Sequence, residues 1–222
     1  MKIRQAGRPK IINREAVINI ALTQYWEHGI ENVSLTNIAN LLKISRPTIY
    51  NEFSNEDNLI AEVIQKYINI SAEPSDLNYD NFKQYPNHLF THFKSNIYDN
   101  NKYLINNYTH HGIKRPEKAI GCFLQKSILN KYNFKSKSFN IINKYNIKRQ
   151  KRLIKYIKSA QTAEVFINDI DPIFYSKYLQ ALFCLIQTLK LQRIKIPTIK
   201  NIINEALNKI LINKNILWNN TP

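Results

Sequence analysis

Apolar residues recur every three or four positions along most of this chain, the spacing that gathers them on one side of an α-helix. Between Arg14 and His28 ("REAVINIALTQYWEH"), Val17, Ile20, Ala21, Leu22, Tyr25 and Trp26 form a broad apolar stripe. Asn13 stands where an N-cap belongs, and Gly29 where a helix stops. Ser34 heads a second run, with Leu35, Ile38, Ala39 and Leu42 inward and Thr36, Asn37 and Asn40 outward. Lys43 and Ile44 make a corner. Ser45 then caps a third run, in which Pro47 fits the first turn and Ile49 and Phe53 bury one side. Two helix-starting serines eleven residues apart therefore predict a helix-turn-helix unit whose second helix is short and presented outward. A fourth helix, begun at Ser54 or Asn55, carries Leu59, Ile60, Val63, Ile64 and Tyr67 on its buried side and acids in its first turn.

A polar stretch from Ser71 to Asn81, broken by Pro74, separates this module from a second region. Helices are expected there near 85–107, 116–131, 138–163, 172–191 and 197–212. With four glycines in 222 residues and few Asn-Gly or Asp-Gly pairs, hairpins have little to turn on, and the predicted fold class is all-α. The expected organisation is an N-terminal three-helix helix-turn-helix domain over 1–54, a linking helix over 55–72 and a larger helical domain over 73–222. The basic, polar start "MKIRQAGRPK" lacks an apolar run behind it, and later apolar stretches are broken by Lys, Asn or Gln. The chain reads as cytoplasmic, with no membrane partner.

Charge changes this picture in one respect. The formal net charge is +16, but residues 1–70 hold eight Lys/Arg against seven Asp/Glu, whereas residues 71–222 hold twenty-four against nine. Between Lys114 and Lys158 fourteen basic residues face one acid, Glu117. In a chain loaded with Asn, Ile, Lys and Tyr, that excess reads either as a solvated compositional bias or as a functional anion surface, and both readings stay open. Cys122 and Cys184 lie in apolar patterns without CxxC spacing and are expected as buried thiols. His88 and His92 are four apart and His110 adjoins His111, yet no carboxylate or thiol set accompanies them. No metal and no cofactor are expected. Nor does the chain show a Ser/His/Asp, Cys/His, paired-carboxylate or phosphate-loop arrangement, so it does not read as an enzyme.

A helix entering the major groove reads base edges with its first turns while flanking groups grip phosphates. Arg46 and Thr48, with Asn51 one turn on, are the base-edge candidates. Ser45, Tyr50 and Thr36 suit phosphates, Lys43 adds a charge at the corner, and Arg8 and Lys10 of "GRPK" form a basic arm. The expected partner is double-stranded DNA.

Residues 7–67 resemble the DNA-binding domain of TetR-type (TetR/AcrR) transcriptional regulators of bacteria. The resemblance rests on the basic GRP entry, the alanine-to-aromatic spacing followed by H-G-I, and the patterns S-L-x-x-I-A, I-S-x-x-T-I-Y and F-x-x-x-x-x-L. "GCFLQ" (Gly121 to Gln125), "SAQTAEVFINDIDP" (Ser159 to Pro172) and "ALFCLIQTLKLQ" are similar to ligand-domain patterns of the same family. The resemblance implies a homodimer that places two third helices on a palindromic operator as a repressor, with an unknown small-molecule effector controlling release. An effector pocket would be lined by Phe90, Phe93, Tyr103, Tyr108, Phe123 and Tyr145. Tyr175, Leu179, Leu182, Phe183, Ile186, Ile199, Ile203, Leu207 and Ile210 give the last two helices more apolar surface than one subunit needs, and predict a four-helix dimer interface. Three positions depart from the family pattern: Lys43 replaces a customary glycine, Glu56 a customary lysine, and Glu52 falls where a neutral or basic residue is usual. The acids predict weaker, more salt-sensitive DNA binding, and motivate an alternative: a small-molecule binding protein of this fold with weak or lost operator recognition.

Overall fold

The computed structural model describes residues 12–72, 87–98 and 116–212. Its helices are α1 (Arg14–His28), α2 (Leu35–Leu42), α3 (Arg46–Phe53), α4 (Glu56–Tyr67), α5 (Asn87–Tyr98), α6 (Phe123–Leu129), α7 (Ser136–Thr162), α8 (Pro172–Leu191) and α9 (Ile196–Asn208). A π-helical turn, Ile68–Ala72, extends α4. The only β pairing among the described residues is the isolated bridge Phe166 to Leu211, which ties the turn after α7 to the end of α9. No helix among them is long and apolar enough to cross a membrane.

Local chemistry accounts for the first four helices. The side chains of Asn13, Ser34, Ser45 and Asn55 each accept a backbone N–H of the first turn they precede, and Ser34 and Asn37 complete a reciprocal capping box. Gly29 ends α1 at φ +89°. The chain's shortage of glycine shows at other helix ends. Lys43, Glu164 and Arg193 all sit in left-handed backbone at φ 53–57°. At each, the following two-bond pattern closes the helix: Lys43 N to Asn40 O with Ile44 N to Ala39 O, and the equivalent pairs after α7 and α8.

Among the described residues two cores form, and packing is not partitioned at the joint near residue 72. The first unites α1 to α4 with Ala119, Phe123, Leu124, Ile142 and Tyr145. The second unites α5, α8, α9 and the later part of α7. Helix α7 thus belongs to both. Its start is held by α4: the buried Asp57 carboxylate accepts Lys137 N at 2.9 Å, Ser138 N at 3.3 Å and the Ser138 hydroxyl, while Lys137 Nζ donates to Asn58 Oδ1 at 3.1 Å. Lys135, the residue at the N-cap position of α7, makes no side-chain cap bond, so a carboxylate some eighty residues away in sequence serves instead.

Two expectations need correction. The stretch expected as one helix from Pro116 is helical only from Phe123, because Gly121 adopts φ +73° and Cys122 N donates to Gln187 Oε1 at 2.8 Å. A Cβ on Gly121 would lie 1.9 Å from Gln187 Oε1. The second correction concerns the dimer stripe. Tyr175, Leu179, Leu182, Phe183, Ile186, Ile199, Ile203, Leu207 and Ile210 are all buried within the single chain, at 6% exposure or less. They face α5, α7 and each other. Helix α8 is apolar nearly all round, so its spacing could not distinguish the stripe facing its own core from a stripe facing a second copy. The apolar residues left exposed on α8 and α9 include Ile173, Phe174, Leu191, Ile196 and Ile202.

Candidate nucleic-acid interface

The presentation of α3 follows from its two ends and one brace. Its N-terminus is set by Ser45, whose hydroxyl accepts Thr48 N at 3.3 Å and lies 2.7 Å from Thr48 Oγ1. Its C-terminus turns sharply at Ser54 (φ 64°, ψ −41°), closed by Asn55 N donating to Phe53 O at 2.8 Å. Ile49 and Phe53 are fully buried against the other helices. Ser45, Arg46, Pro47 and Asn51 remain exposed, and Thr48 and Tyr50 half-exposed, as are Thr36 and Lys43 exposed on the neighbouring helix and corner.

Arg46 is held rather than waving. Its Nη2 donates to Tyr50 OH at 3.2 Å and its guanidinium lies 5.2 Å from the Tyr50 ring centroid. The bond to Tyr50, and then the nearby Glu56 carboxylate, raise its pKa above the ordinary arginine value. The candidates Arg8 and Lys10 lie outside the described residues.

The brace had no signal in the sequence. Arg14 of α1 pairs with Glu52 of α3 and Glu62 of α4, donates Nη1 to Glu52 O at 2.9 Å and Nε to Glu62 Oε2 at 3.1 Å, and covers the Phe53 ring at 4.3 Å. Its partners stand 38 and 48 positions away, beyond any helical period. The same contact reinterprets one departure noted above: the Glu52 carboxylate is engaged by a cation. Glu56 is different. It stands half-exposed at the start of α4, and its field reaches Arg46 and, secondary to burial, raises the Tyr25 hydroxyl.

In the second region, four of the six pocket candidates are core residues. Phe90 and Phe93 belong to the second core, Phe93 stacking on Phe183 at 4.2 Å, whereas Phe123 and Tyr145 belong to the first. Tyr103, Tyr108, His110 and His111 lie outside the described residues. What sequence reading missed here is a buried polar group between the aromatics. Arg149 donates to Gln125 Oε1 at 3.2 Å and lies over Phe183 at 5.2 Å, Gln125 donates to Cys184 Sγ at 2.7 Å, and Gln187 donates to Asn96 Oδ1 at 3.3 Å. His92 joins it, 4.5 Å from Phe183, and burial, then the nearby Arg149 cation, push its pKa down to about 3. Burial likewise raises the half-buried Cys184 thiol. No group of three or more His, Cys, Asp or Glu among the described residues could hold a metal ion.

The first domain also adjoins a cleft. A space of about 390 Å³ opens between the end of α1 and α6, lined by Tyr25, His28, Glu31, Phe123, Lys126 and Leu191 among others. Trp26 closes the same junction, donating Nε1 to Gly121 O at 2.9 Å and meeting Tyr67 edge-on at 5.1 Å.

Residues 17–63 match the family model described as bacterial regulatory proteins, tetR family. The helix-turn-helix region of the chain is thus of the TetR type. Over 62 residues the chain is 37% identical to the HTH-type transcriptional repressor ComR of Escherichia coli, a match spanning 28% of this chain and 30% of that one. The chain thus matches about a third of the length of its curated relatives. Its fold is shared more widely. A transcriptional regulator from Saccharomonospora viridis, solved in complex with choline, superposes with a TM-score of 0.69 at 14% identity, covering 90% of this chain and 98% of that one. The regulator CifR, a cysteine mutant complexed with 26-bp double-strand operator DNA, gives 0.63 at 13% identity over 92% and 100%.

Proposed function

We propose that the chain is a ligand-responsive transcriptional repressor that binds a palindromic operator as a homodimer and is released by a small-molecule effector. One observation carries this reading: α3 is capped, braced and turned so that Ser45, Arg46, Thr48, Tyr50 and Asn51 stay accessible while Ile49 and Phe53 anchor it. Arg46, Thr48 and Asn51 read bases, with Ser45, Tyr50, Thr36, Lys43, Arg8 and Lys10 on phosphates. The operator-bound relative of the same fold supports a DNA partner. The first domain spans 1–54 with its linking helix to 72, and the remainder holds the effector and the second copy. The outer stripe Phe174, Tyr178, Leu185 and Ile202 forms the dimer face, since the inner stripe is already buried. The effector lies among α5 to α8, beside the polar group of Gln125, Arg149 and Gln187.

The test is selection of bound sequences from random duplex DNA by the purified protein at low salt. Enrichment of a palindrome is expected. Arg46→Ala should then cost about 1–3 kcal/mol of discrimination at one base step of each half-site, read by anisotropy titration. Failure to enrich any palindrome overturns the repressor reading in favour of a binding protein of the same fold, the alternative that the half-exposed Glu56 at the start of α4 supports.

A further inference from the structure

The excess positive charge of the second region is not scattered. Helix α7 contains no Asp or Glu over its 27 residues, and Lys137, Lys144, Lys148, Lys151, Lys155 and Lys158 are all exposed on it at intervals of three, four or seven. Those intervals place them on one face. Arg149, the cation in the middle of the same run, is turned inward at 7% exposure, and Arg152 is half-buried. Here the opposite face is occupied by Ile142, Tyr145, Leu153, Tyr156 and Ile157, all buried, which leaves the lysines a single continuous track. From Lys137 to Lys158 it runs about 32 Å at the helical rise of roughly 1.5 Å per residue.

We infer that this lysine track is a second nucleic-acid surface, which grips the phosphate backbone of a duplex segment other than the one under α3. The inference rests on the reading of the chain as a DNA-binding protein. Charge complementarity favours a polyanion, because each lysine that neutralises a phosphate releases condensed counterions. A bilayer is the poorer match: a helix lying on lipid turns apolar side chains toward it, and α7 spends its apolar face on the two cores, leaving only Ile147 at 47% exposure. Position separates the track from the operator site. Its first lysine is tied to Asn58 beside the helix-turn-helix, and its later ones ride on the second core. The surface also explains why a nearly neutral DNA-reading module is joined to a body carrying almost the whole net charge.

The experiment measures binding of the full chain to a labelled random-sequence duplex of about 40 base pairs as salt is varied. The variant is K144Q/K148Q/K151Q/K155Q/K158Q, whose glutamines match lysine in helix propensity. K148Q/K151Q serves as a milder form should the larger one fold poorly by circular dichroism. The full variant should lose about tenfold or more in affinity near 50 mM salt, and the log–log salt slope should fall by about four, or about two for the pair. R46A/N51A should keep most of the wild-type slope on the same probe while losing any enriched palindrome, so the two sites fail independently. An unchanged slope in folded lysine variants overturns the inference. So does lysine-dependent binding to vesicles containing anionic phospholipid with no change on DNA.

Discussion

Helices α1 and α7 differ in how their starts are held, and the difference separates the two halves of the molecule. α1, like α2, α3 and α4, is capped by the side chain immediately before it. In the second region α8 is capped the same way by Asp171, but α6, α7 and α9 have no such cap, and α7 takes its cap from Asp57 on α4. The helix starts of the first half are therefore set by local chemistry, while those of the second half lean more on contacts across the fold. Coupling follows from the same fact, because any shift of α4 relative to α7 must break or drag a buried carboxylate.

The sharpest way to break this comparison is at a long-range contact. Gly121→Ala forces an L-residue to φ +73° and pushes Cβ into Gln187, which also accepts Cys122 N. A loss of about 3 kcal/mol or more is expected by urea denaturation. Asp57→Ala comes next, at about 2–3 kcal/mol, since it leaves two backbone N–H groups and a hydroxyl without their buried acceptor. Asp57→Asn should recover part of this, and amide exchange at Lys137 and Ser138 should quicken in the alanine variant. Asn13→Ala, removing a local cap, should cost only about 1 kcal/mol. If Asn13→Ala proved as costly as Asp57→Ala, the contrast between the halves would fail.

Acid should weaken the second half selectively. His92 is held neutral with a folded pKa of about 3, below the ordinary value of 6.5. Between these values the unfolded chain binds a proton that the folded chain does not, so stability falls as pH drops, by up to about 1.4 kcal/mol per unit. His92→Gln should flatten that slope in denaturation series from pH 7 to 4. The smallest effect expected is a gain. Glu164→Gly relieves left-handed backbone at the end of α7 and should add about 0.5–1 kcal/mol, seen as a raised Tm.

The helix-turn-helix was legible because its signals are short-range: Ser34 with the Leu35, Ile38 and Leu42 spacing, Ser45 with Pro47, Ile49 with Phe53. Lys43 shows the limit of that legibility. Its place in the corner was readable, but only coordinates reveal that a lysine occupies left-handed backbone there. The inner stripe of α8 misled for a related reason, since a helix apolar on most sides carries no mark of which side its own chain will cover.

The order of amino acids alone determined where the first four helices start and stop, the all-helical class and the lysine excess, because caps, periodicity and charge act within a turn or two of chain. Tertiary structure alone decided that Arg14 neutralises Glu52, that Asp57 caps α7 and that Arg149 packs inward against Gln125 and Phe183. Those outcomes depend on which surfaces meet after collapse, and residues dozens of positions apart leave no local pattern from which to foresee the meeting.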